Sequence, residues 1–282
     1  MTPKKVWLIT GAGRGIGLEM TKAVLASGDK VVATVRKSAE ILKEKLGHPE
    51  NLHVILLDVT DEQQAIQSAI QTVERFGRID VLLNNAGYGV LGALEETGAD
   101  EVKKNFETNV FGLLNVTRAV LPYMRGQRSG HIINISSIGG LTGYTGFGIY
   151  CATKFAVEGI TESLAQEVAP LGINVTAVAP GFFRTNFLDA SSLFRADRVI
   201  SDYVSTSGEM ESFAAHYNNN QPGDPVKLAS AIVKLANAEQ PPVHLLLGND
   251  ALETYREKIN RLEQDIKAWH DVTTSTDHDD VK

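Results

Sequence analysis

"LITGAGRGIG", residues 8–17, sets Gly11, Gly13, Gly15 and Gly17 into seven positions directly after an apolar run. Glycine at that density is worth its entropic cost where a backbone turns tightly or approaches something closely. The G-x-G-x-x-G dinucleotide fingerprint does not fit, because it would need glycine at Ile16 or Leu18. The phosphate loop G-x-x-x-x-G-K-[ST] fails too, since no Lys-Ser or Lys-Thr pair follows. Gly11, Gly15 and Gly17 do fit G-x-x-x-G-x-G, a variant dinucleotide turn with a longer loop before the helix. Taken alone, these glycines leave a phosphate cradle and a plain tight turn equally open.

Outward from this turn, short β-branched runs alternate with longer helical patterns. Strands are expected over 5–10, 30–35, 52–58, 80–86, 130–136, 173–180 and 243–247. Amphipathic helices are expected between them, as at 17–27, 61–77 and 105–124. Such alternation predicts a parallel sheet covered by helices on both faces, and nearly continuous apolar strands agree with double coverage. The reading is a single α/β, Rossmann-type doubly wound domain over residues 1–250, with about seven parallel strands. Residues 182–222 interrupt the alternation with scattered aromatics and a polar end, "NNNQPGDP", and read as a lid or substrate loop. Residues 251–270 read as a charged helical extension, and 271–282 as an acidic tail without fixed structure.

Composition narrows the function. With 27 basic and 34 acidic residues the net charge is −7, so nothing advertises nucleic acid or an anionic membrane as a partner. A single cysteine, Cys151, excludes internal disulfides and cysteine-rich zinc sites. The seven histidines are dispersed without H-x-x-x-H spacing, so no metal site is expected. No apolar run approaches the length of a membrane span or a signal peptide, and a cytoplasmic location is the default expectation.

The chemistry lies a hundred residues beyond the glycines, in "SSIGGLTGYTGFGIYCATK", residues 136–154. Tyr150 and Lys154 stand four apart at the start of an expected helix, so both project from one face. A phenol is a poor acid at neutral pH, and an adjacent ammonium would favour its phenolate and make it a usable acid–base group. Ser137, at a strand end, could join them and hold a carbonyl oxygen. At the end of the second strand, "VVATVRKS" offers Arg36 where an NAD-binding sheet usually carries an acid. A guanidinium there suits a 2′-phosphate, with Arg14 as a second reader, although Arg36 and Lys37 could equally open a solvated helix.

Together these residues resemble the short-chain dehydrogenase/reductase family in its classical subfamily, over residues 5–247. The motifs are "TGAGRGIG" (10–17), "NNAG" (84–87), Asn109 in "ETNVFG", Ser137 in "NISS", "YCATK" (150–154) and "PGFFRT" (180–185). The "VVATVRK" pattern and the long extension look similar to the 17β-hydroxysteroid dehydrogenase-like branch. The resemblance implies hydride transfer between a nicotinamide cofactor and a carbonyl or alcohol, with NADP(H) preferred and NAD(H) possible. Tyr150 would be the general acid/base, Ser137 the holder of the substrate oxygen, and Lys154 the group that tunes Tyr150 and binds the nicotinamide ribose. Asn109 would position a water in a proton relay. Gly11, Arg14, Gly15, Ile16 and Gly17 would meet the phosphates, with Arg36 at the adenine ribose and Asp58 and Val59 at the adenine. Asn85, Ala86 and Gly87 would floor the cofactor, and Pro180, Gly181 and Thr185 would fix its carboxamide. A homodimer or homotetramer pairing through the Asn109 and Tyr150 helices is also implied.

Phe182, Phe183, Phe187, Leu188 and Phe194 suggest an apolar, bulky ketone or aldehyde substrate, or else simply close the core beneath the lid. A dinucleotide-binding sensor on the same fold is the alternative function, but such proteins usually lose Tyr or Lys. An epimerase or dehydratase would keep both, yet typically needs a larger carboxy-terminal domain.

Overall fold

The structure, a computed structural model, describes residues 4–278 and 280. The strands are β1 (Val6–Ile9), β2 (Lys30–Val35), β3 (Leu52–Leu56), β4 (Val81–Asn84), β5 (Gly89–Leu91), β6 (Gly130–Ile135), β7 (Ile173–Pro180), β8 (Leu193–Arg195) and β9 (His244–Leu247). The helices are α1 (Gly15–Ala26), α2 (Ala39–Leu46), α3 (Glu62–Phe76), α4 (Ala99–Phe106), α5 (Gly112–Gln127), α6 (Gly148–Val168), α7 (Ser207–Tyr217), α8 (Pro225–Ala236), α9 (Asn249–Ala268) and α10 (His270–Thr274).

Seven strands form one parallel sheet in the order β3-β2-β1-β4-β6-β7-β9. Its two faces bury different halves of each strand. On β1, Trp7 and Ile9 pack with Met20 and Val24 of α1 and with Ile232 of α8. Leu8, between them, points the other way to Val116 and Val120 of α5 and Leu164 of α6. Apolar residues at every position of β1 therefore reflect a sheet covered on both sides. Local chemistry sets the helix ends: Asp61 caps α3 by accepting from the Gln64 N–H at 3.0 Å. Strand order reverses between β1 and β4, which opens a crevice at the carboxyl ends of the strands.

Three features depart from the sequence expectation. The helix expected over 105–124 is two helices, α4 and α5, joined by a π-turn at Glu107–Phe111. The 182–222 segment contains β8, which pairs in parallel with β5 to make a second, two-stranded sheet, and also α7. The tail expected to lack structure from 271 is helical to Thr274: the hydroxyls of Thr273 and Thr274 bond carbonyls one turn back, at Trp269 and His270. Residues 279, 281 and 282 of that expectation lie outside the described residues. Among the described residues, no helix is long and apolar enough to cross a membrane, and no cluster of His, Cys, Asp and Glu could hold a metal.

His131 on β6 shows what burial does to a titrating group. Its Nε2 lies 2.9 Å from the Thr176 hydroxyl, which itself donates to the Pro242 carbonyl, so the ring nitrogen is the donor. Burial, aided by the Lys5 charge, pushes the imidazole down to about 4. The unfolded chain thus binds a proton at higher pH than the fold does, and stability present above about 6.5 is lost as pH falls through about 4. The expected loss is on the order of 3 kcal/mol at full protonation. Acid unfolding followed by circular dichroism should show a shallower decline over that window in His131→Gln.

Candidate active site

The glycine turn sits at the end of β1, with Gly11 at φ 67° and Gly15 at φ 53°, conformations that strain any side chain but glycine's. Asn85 clasps this turn: its Nδ2 donates to the carbonyls of Thr10 at 2.9 Å and Gly11 at 3.1 Å. A Cβ at Gly17 would collide with both the Gly11 carbonyl and that amide. Asn85 thus holds the turn as well as lining the cleft beside Ala86 and Gly87. No side chain caps α1 and its first turn carries no acid, which leaves a helix amino terminus suited to phosphate.

The two arginines part company. Arg36, following β2, lines the cleft. Arg14 lines it too, but its guanidinium donates to the Ser191 carbonyl at 2.6 Å, tying the glycine turn to the 182–222 segment. Asp58 and Val59 border the same end of the cleft. The Asp58 carboxylate accepts from the Thr60 N–H and hydroxyl, and the Val59 carbonyl accepts from Asn115 at 3.1 Å.

The π-turn decides where Asn109 points. One extra residue in the helix ladder swings its side chain onto the β4–β5 connection. There Oδ1 accepts from the Tyr88 N–H at 3.0 Å, while Nδ2 donates to the Tyr88 carbonyl at 2.9 Å and the Thr153 hydroxyl at 3.0 Å. A Cβ at Gly87 would lie 3.0 Å from Asn109 Oδ1 and 3.8 Å from Lys154 Nζ, so both groups border the same small space.

Ser137 follows β6 and caps a short turn, its Oγ accepting from the Gly139 N–H at 3.0 Å. Tyr150 and Lys154 lie in the first two turns of α6, both buried. Lys154 Nζ donates to the Ile135 carbonyl at 2.8 Å and stands 5.7 Å from the Tyr150 ring centre. Burial pushes the Lys154 ammonium down to about 8, with the Glu158 carboxylate one turn along pulling it back up. Burial also raises Tyr150 above the usual phenol value, and the Ser137 hydroxyl opposes that shift. The direction is opposite to the sequence expectation of a phenol lowered by its lysine: removal from water dominates, and the group that lowers Tyr150 is the Ser137 hydroxyl and not Lys154.

Pro180 ends β7 and Gly181 follows it, and here the structure adds a residue that the sequence did not point to. Asp250, in the first turn of α9, accepts from the Phe182 N–H at 2.6 Å and fills the space a Cβ at Gly181 would need. The first turn of α9 thus reaches the site. Thr185 lines the cleft and accepts from the Phe187 N–H. Tyr88, Thr153 and Tyr144 were missed as well, because their place depends on contacts distant in sequence rather than on any local pattern.

Of the site residues expected from the sequence, all but Asn109 and Gly17 border one cleft of about 1380 Å³. Aromatic rings line it: Phe187 packs on Tyr150 at 5.3 Å between ring centres, and Phe182 packs edge-on to Tyr144 at 6.4 Å. Phe183, Leu188 and Phe194 line it too.

Residues 5–195 match the family described as short chain dehydrogenase. This chain belongs to that family. The 3-ketodihydrosphingosine reductase of Bacteroides thetaiotaomicron is 39% identical over 245 residues, covering 86% of this chain and 88% of that protein. A short-chain dehydrogenase from Streptomyces avermitilis superposes with a TM-score of 0.91 at 39% identity, covering 98% of this chain and all of that one. The structure of ElxO with NADP bound superposes at 0.74 with 33% identity, covering 89% of this chain and all of that one. The doubly wound fold, its helical extension and membership among oxidoreductases follow. The uncapped α1 and the glycine positions that exclude a Cβ fit a nicotinamide dinucleotide lying along the crevice.

Proposed function

We propose that this protein is an NADP(H)-dependent oxidoreductase that interconverts a ketone or aldehyde and an alcohol, with Tyr150 as general acid/base. The observation that carries this reading is the buried Tyr150, with Lys154 and Ser137 beside it, on a cleft continuous with the glycine turn. The bound nicotinamide supplies the hydride. The protein's own part is the proton: Tyr150 Oη, kept protonated by burial, gives it to the carbonyl oxygen as the carbon is reduced. Ser137 Oγ orients that oxygen. The phenolate left behind is balanced by the Lys154 ammonium, which is the role its burial near the ring suits.

Arg36 at the end of β2, with no acid beside it, supports NADP(H) over NAD(H), as does the NADP bound to ElxO. The aromatic wall supports a bulky apolar carbonyl substrate, and a relative named for reducing a ketone agrees. The "VVATVRK" pattern and the extension support the 17β-hydroxysteroid dehydrogenase-like branch, and family habit supports homo-oligomers through α5 and α6. Turnover of a panel of cyclic and aromatic ketones with NADPH and with NADH tests the reading. NADPH should be favoured at least tenfold in kcat/KM, and Arg36→Asp should reverse the order. A wild-type preference for NADH would overturn the cofactor assignment.

A further inference from the structure

Beyond its first turns, α9 leaves the body of the protein. Asp250 and Ala251 anchor it, and Lys258 lies over the Phe155 ring of α6 at 5.1 Å. From Ile259 onward every described residue is exposed. Yet the helix is not polar all round. Leu252, Tyr255, Ile259, Leu262 and Ile266, continued by Trp269 just past the end of α9, repeat at spacings of three and four, a single apolar stripe along one side. Ile266 and Trp269 are 62% and 64% exposed. A projecting helix gains most of its stability from packing such a stripe, so the stripe calls for a partner.

Its chemistry selects which partner. The residues flanking the stripe are basic in the first half, Arg256 and Lys258, and acidic in the second, Glu263 and Asp265. Laying a second copy antiparallel about a two-fold axis between Ile259 and Leu262 brings Leu252 against Trp269, Tyr255 against Ile266, and Ile259 against Leu262. The same operation sets Arg256 of each copy beside Glu263 of the other, on one flank of the stripe, and Lys258 beside Asp265 on the other flank. The face is complementary to itself, as an isologous two-fold interface requires. A lipid surface fits less well, because acidic residues alternate with basic ones along the rest of the helix and give no net attraction to anionic headgroups.

We propose that this stripe on α9 is a self-association surface whose occupant is the antiparallel α9 of a second copy of this chain. The surface is separate from α5 and α6, so it adds to any pairing made there and does not depend on the enzymatic reading. Analytical ultracentrifugation of the full chain at micromolar concentration tests it. Ile259→Glu/Leu262→Glu should halve the assembled mass while its far-UV circular dichroism stays folded. Arg256→Glu/Lys258→Glu and Glu263→Lys/Asp265→Lys should each halve it too, and an equimolar mixture of the two should restore the wild-type mass. Orientation is read by oxidation: Leu252→Cys mixed with Trp269→Cys should form the crosslinked pair, and neither should crosslink alone, Cys151 being buried. A monomeric wild type, an unchanged mass in Ile259→Glu/Leu262→Glu, or crosslinking of either single variant with itself would overturn the proposal.

Discussion

Tyr150→Phe should lower ketone turnover with NADPH on the order of 10²- to 10⁴-fold, the usual share of a positioned general acid. The ring would stay in place, since Phe147 and Phe187 pack on its faces and edge at 6.4 Å and 5.3 Å. Only the hydroxyl goes, together with its interaction with Ser137, so stability should change by no more than about 1 kcal/mol. NADPH binding, measured by titration calorimetry, should change little, because the glycine turn lies on another element. The loss should therefore fall on kcat. Turnover equal to the wild type would remove Tyr150 from the chemistry and with it the proposed mechanism.

Gly17→Ala is the second large effect. The added methyl would meet the Gly11 carbonyl and the Asn85 amide, and neither can retreat. The carbonyl belongs to a turn already at φ 67°, and the amide is held by its bonds to Thr10 and Gly11. Nor can α1 move away, because Met20 and Val24 are buried in the core against α8. Overpacking plus the loss of buried hydrogen bonds should cost on the order of 2–4 kcal/mol, with NADPH affinity falling alongside. Gly13→Ala is the control. Its methyl would come 3.3 Å from a methyl of the Val35 side chain, which can yield, so thermal melting should place it close to the wild type. Equal effects for the two alanines would show that the turn is not packed as described.

The sheet was legible because each strand's signal is local. Runs such as 30–35 and 173–180 match β2 and β7 residue for residue, since a doubly covered strand must be apolar along its length. The glycine turn and the Tyr150–Lys154 pair were legible for a similar reason: spacing along one turn or one helix face decides what can meet. The β5–β8 sheet was not legible, because its three-residue strands are about a hundred residues apart and carry no periodicity of their own.

What sequence alone determined, then, is where the strands of the main sheet run, where the glycine turn sits and that Tyr150, Lys154 and Ser137 gather at one end of that sheet. Tertiary structure decided the rest. It turned Arg14 toward Ser191 and brought Asp250 from the first turn of α9 to Gly181. Through one added residue in a helix it aimed Asn109 at Tyr88. It also set the direction in which Tyr150 titrates, because that balance depends on how much water the whole fold excludes, and no spacing between two residues records it.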